Sequence, residues 1–121
     1  METFDQELVP QLEHMRRATE AGKIVWSQQN PTTYLWVAAS PNARVTIQKV
    51  ARPVVAGQAA QSPYYLLVGS QVVGSQWVNK PTINGSERPS LNDLLKDLFA
   101  FVADRTARDS LQFLTSLLPP A

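Results

Sequence analysis

Residues 22–37 read GKIVWSQQNPTTYLWV, and within this stretch the spacing of apolar side chains changes from the helical period of 3.6 to the strand period of 2. Ile24 and Trp26 alternate with Lys23, Val25 and Ser27, and Tyr34 and Trp36 alternate with Leu35 and Val37. Gln29-Asn30-Pro31 between them is a turn signal, so two short strands, Lys23–Gln28 and Thr33–Ala39, are expected. The stretch also holds three of the chain's six Trp and Tyr residues. Those rings are either the inside of a hairpin or a platform for a ligand.

Upstream, the chain reads as a helix. Thr3 and Gln6 have capping-box spacing, and Phe4, Leu8, Leu12, Met15 and Thr19 recur one turn apart. Gly22 suits the position just past a helix end, because it accepts a left-handed backbone. Pro10 conflicts with this pattern, since proline removes a helical donor and crowds the preceding turn. A kink there, or a helix starting near it, is expected.

Downstream, Ser40-Pro41-Asn42 reads as a turn. Arg44–Val50, Tyr64–Gly69 and Val72–Val78 read as strands, the last two joined tightly at Ser70-Gln71. The connections are too short for crossover helices, so a five-stranded antiparallel meander is expected. Val-Gly-Ser-Gln occurs twice, at 68–71 and 73–76; the odd offset of five places the copies on opposite faces, which makes the repeat a coincidence. Ala51–Pro63 and Asn79–Pro89 are the long loops. Ser90 with Asp93 and Thr106 with Asp109 are capping signatures. They predict two short closing helices, the first carrying Leu91, Leu94, Leu95, Leu98, Phe99 and Val102, with a break near residues 104–106. The fold class is thus α+β: an N-terminal helix, a five-stranded antiparallel β-meander and two short C-terminal helices.

The chain has 121 residues, the size of one domain, 1–121. It has no cysteine, which excludes disulfides and thiolate chemistry. Its first twenty residues are charged and lack an apolar core of the signal-peptide kind, and no apolar run reaches the ~20 residues that span a bilayer. A cytoplasmic protein is expected. Net charge is +1, but residues 1–20 carry five acids against two bases and residues 87–121 five acids against four bases. Residues 21–86 carry no acid and five bases: Lys23, Arg44, Lys49, Arg52 and Lys80.

Little catalytic chemistry is visible. His14 is the only histidine, and no metal-binding spacing or nucleophile–base arrangement surrounds it. Asp93, Asp97 and Asp104 share a helix face opposite the leucines, as an ordinary solvated face would. The five glycines match neither phosphate-cradling pattern. No catalytic residue, cofactor or metal is expected.

The order of elements, with GKIVW, then YYLLVGSQVV, then LNDLLKDLFAFV before a last short helix, resembles a class of small bacterial proteins. The resemblance implies the α–meander–α order and brings no activity or site with it. The Ala51–Pro63 insert departs from that pattern.

Two strands are apolar on both sides: Tyr34–Val37 and Tyr64–Val68. A sheet with helices on one face should alternate apolar and polar, so a cover for the second face is expected. It could come from helices on opposite sides or from Val54 and Val55 of the long loop, from a second copy or another protein, or from nucleic acid. A non-catalytic protein–protein interaction module follows, forming a homodimer or meeting a partner through Tyr34, Trp36, Tyr64 and Trp77. In the nucleic-acid alternative, Lys23, Arg44, Lys49, Arg52 and Lys80 meet phosphates while rings stack on bases.

Overall fold

The computed structural model describes the backbone of residues 3–38 and 42–120, and the side chains of these except Thr3, Phe4 and residues 79–82. Among the described residues the order is α1 (Thr3–Glu20), β1 (Ser27–Asn30), β2 (Thr33–Ala38), β3 (Ala43–Val50), β4 (Tyr64–Val73), β5 (Gln76–Asn84) and α2 (Pro89–Leu117). The strands form one antiparallel sheet in chain order, β1-β2-β3-β4-β5. The α+β order and the meander stand as the sequence predicts.

α1 buries Leu12 and Thr19 and half-buries Leu8 and Met15. It runs through Pro10, so the helix does not start near that residue. Pro10 and Gln6, whose carbonyl loses its helical donor, both lie on the exposed side, where water replaces the missing bond. The helix ends as its glycine predicts. Gly22 has φ +77°, its N–H donates to the Thr19 carbonyl at 3.1 Å, and the Lys23 N–H donates to the Ala18 carbonyl at 2.9 Å. This pair of bonds is the Schellman arrangement.

The first strand lies later than expected. Ile24 and Trp26 are both buried but precede the ladder, which begins at Ser27↔Leu35. Asn30 makes the turn into β2: its Oδ1 accepts from both the N–H and the hydroxyl of Thr32, each at 3.0 Å. The expected turn at 40–42 lies largely outside the described residues; Asn42 alone is seen, at φ +60°.

The β4–β5 hairpin needs a larger correction. Ser70 and Gln71, read as its turn, are mid-strand and pair with β3 at Arg44 and Ala43. The turn is Gly74-Ser75, closed by Val73↔Gln76, with Gly74 at φ +65°. β5 then occupies most of the stretch read as the second long loop. Pro81 sits in β5 beside a register shift, on an edge strand, where a missing donor costs little.

α2 is one helix of 29 residues, not two. Arg105–Asp109 at 3.3 Å and Arg108–Asp104 at 2.8 Å join side chains one turn apart across the expected break, so Asp109 pairs with a side chain instead of capping a second helix. The upstream cap also differs. Arg88 is the N-cap residue, without a side-chain cap bond, and Pro89 opens the helix. The Ser90 hydroxyl turns away and donates to Asp5 Oδ2 at 2.7 Å.

Leu91, Leu95, Leu98 and Val102 of α2 are buried against β3 and β4, and α1 packs along α2. The facing sheet row is Tyr34, Ile47, Leu67 and Ile83, each the register partner of the next and all buried. Phe99 of α2 meets the rings of Tyr34 and Tyr65, each at 5.4 Å.

Candidate interaction surface

Antiparallel register and strand alternation place Leu35, Val37, Thr46, Val50, Tyr64, Leu66, Val68, Val72 and Trp77 on the sheet face away from α2. Helices on opposite sides do not cover this face: α1 and α2 lie against each other and α2 against the other side. Nor does the long loop close over it with its valines, for Val54 and Val55 are both exposed. Val37 is 64% exposed and Trp77 45%, while Leu35, Leu66 and Val68 are half-buried among their strand neighbours. The expected intramolecular cover is absent among the described residues.

Two arginines stack on the rings of this face. The Arg44 guanidinium lies 4.1 Å from the centre of the Trp77 ring, and that of Arg52 lies 5.3 Å from Tyr64. The Nε of Arg52 also donates to the Ser62 carbonyl at 2.9 Å, which ties the long loop's two ends together. Cation–π attraction favours each guanidinium over its ring, and Arg52 also spends its Nε donor on the loop. All residues of this face come from the acid-free part of the chain, so its local charge is positive.

The four rings singled out from the sequence do not converge. Tyr64 and Trp77 belong to the open face. Tyr34 is buried under α2, and Trp36 is half-buried on the same covered side, 6.1 Å from Trp26. The five basic residues also divide. Arg44 and Arg52 lie on the open face. Lys49 pairs with Tyr65 and falls on the helix side of the sheet, although exposed. Lys23 follows α1 and lines a shallow concavity with His14 and Arg17. The side chain of Lys80 lies outside the described residues.

A second surface escaped the sequence reading. Beyond Thr106 every described residue of α2 is exposed, and the last turns carry Leu111, Phe113, Leu114 and Leu117, with Leu118 next, all between 56% and 69% exposed. The helix side of these turns and the approach to β1 form an open notch of about 620 Å³, lined by Val25, Trp26, Gln28, Ser110, Phe113 and Leu114 among others. The signal was in the sequence as a leucine stripe, but a stripe of this kind is usually a core face.

Among the described residues no three His, Asp or Glu side chains gather as a metal site, and no helix is long and apolar enough to cross a membrane. His14, Asp93, Asp97 and Asp104 are exposed. No protein family, curated protein or solved structure matches this chain.

Proposed function

We propose that this protein is a non-catalytic interaction module whose open sheet face receives another protein. The observation that supports this reading is the uncovered combination of Val37, Leu35, Leu66 and Val68 with the Arg44–Trp77 and Arg52–Tyr64 stacks. Contiguous exposed apolar surface marks binding sites, and Trp, Tyr and Arg are the residues that carry most interface energy. With no acid in the segment that builds the face, the partner surface that complements it is apolar with carboxylates at its rim.

The test is affinity capture from the source organism with wild-type, Val37→Asp and Trp77→Ala baits of unchanged thermal stability. A nuclease-resistant protein retained by wild type, lost from both variants and released by salt supports the reading. Equal recovery on all three baits overturns it.

The stacked arginines also favour a second reading, single-stranded nucleic acid, with phosphates at Arg44 and Arg52 and a base against Trp77. That reading requires oligonucleotide binding that falls steeply with salt and that Arg44→Ala weakens. Absence of binding at low salt removes it.

A further inference from the structure

The exposed end of α2 is a different surface from the sheet face, and its chemistry specifies its occupant. α2 is about 43 Å long at 1.5 Å per residue, yet its last buried side chain is Val102. From Leu111 onward the helix carries no charge. One side presents Leu111, Leu114 and Leu118, with Phe113 and Leu117 beside them. A helix that rests on an anionic lipid surface opposes such a stripe with lysines and arginines; here the other side offers Gln112, Thr115 and Ser116. The stripe therefore suits an uncharged apolar protein surface.

The chain itself carries a largely apolar surface, with one carboxylate at its wall, next to the stripe. The notch at β1 is walled by Val25, Trp26, Ser27 and Gln28 on one side and by Thr106, Asp109, Ser110, Phe113 and Leu114 on the other. Val25 is 68% exposed. Phe113 and Leu114 belong to both the notch and the stripe. This sharing is the condition for a twofold contact, in which one patch must both give and receive. The five apolar side chains are each more than half exposed, and a stable contact needs on the order of 600 Å² from each copy.

We infer that two copies of this chain pair through an antiparallel contact of their α2 ends, each stripe seated in the other's notch, with Leu114 beside the twofold axis. Asp109 of the notch wall keeps its charge partner Arg105, and the Arg108–Asp104 pair lies outside the notch.

Light scattering on the full chain at tens of micromolar tests this, together with cross-linking. The chain has no cysteine, so Leu114→Cys supplies a lone thiol at the axis. The expected results are a wild-type dimer, weakening by about 30-fold or more in Leu114→Asp and in Leu111→Gln/Leu117→Gln, and a rapid covalent dimer of Leu114→Cys on oxidation but not of Val37→Cys. All these positions are exposed, so thermal unfolding unchanged from wild type at concentrations where both are monomeric serves as the folding control. A wild-type monomer overturns the inference. So does a dimer that survives both α2 variants, and so does flotation of the chain with phosphatidylcholine vesicles that Leu114→Asp abolishes.

Discussion

The indole Nε1 of Trp26 donates to the Thr19 hydroxyl at 3.0 Å, and that hydroxyl donates in turn to the Met15 carbonyl at 2.9 Å. Thr19 is 1% exposed, so one hydroxyl provides the acceptor that lets a tryptophan enter the core between α1 and β1.

Removing that hydroxyl should cost more than its size implies. Thr19→Val keeps the shape but leaves a buried indole N–H without an acceptor, which costs about 1–3 kcal/mol. Thr19→Ser restores the acceptor and should recover most of the loss. Urea denaturation of the three proteins checks this; equal midpoints for Thr19→Val and wild type would refute it.

Asp5 joins the two helix starts. Ser90 and Arg88, both from the start of α2, bond its carboxylate. The Ser90 hydroxyl bond and the Arg88 bond and charge outweigh the opposing effect of burial and hold the carboxyl below its ordinary value of 3.8. A group depressed on folding contributes stability above its unfolded pKa and loses it as pH falls through the folded one. Unfolding midpoints should therefore drop below pH 4 in wild type more steeply than in Asp5→Asn. Parallel pH profiles would disprove the role of this carboxylate.

Gly85 is required for space rather than for backbone freedom. A Cβ there would lie 2.0 Å from Asn92 Oδ1 and 3.0 Å from the Tyr65 carbonyl. That Oδ1 accepts the Tyr65 N–H at 2.9 Å, beyond the β5 pairing, which begins at Leu66↔Asn84. Gly85→Ala should expel the Asn92 side chain and cost about 1–3 kcal/mol. In an Asn92→Ala background the same change should cost clearly less, because the bond is already gone. An additive double-mutant cycle contradicts the coupling.

The end of α2 should be dispensable to the fold. Every described residue from Ala107 onward is exposed, so a chain ending at Ser110 should keep its thermal midpoint within a few degrees, about the effect of 1 kcal/mol or less. It should lose helical circular dichroism and all self-association. A collapse in stability in a monomeric background would show that these turns support the core.

Much of the architecture was legible locally. The α1 stripe, the glycine that ends it and the turn between the first two strands each follow from side-chain spacing or from a single residue's preference. The placement of the rings singled out from the sequence was less legible. Tyr34 and Tyr64 have similar neighbours, but one lies under Phe99 and the other on the open side, because α2 selects which face it covers. The exposed leucines of α2 have the periodicity of a buried face, and only the position of the sheet edge leaves them outside.

The duplicated tetrapeptide divides the two kinds of information. Val68-Gly69-Ser70-Gln71 is strand, and Val73-Gly74-Ser75-Gln76 is a turn with Gly74 at φ +65°. The amino-acid sequence alone determined that both copies can bend, since glycine opens left-handed backbone wherever it stands. Which copy bends was decided by the sheet. β3 presents a full row of backbone donors and acceptors from Ala43 to Val50, and leaving them unpaired costs more than extending β4 past its first glycine. The second copy lies beyond the end of that row, where nothing remains to hold it straight.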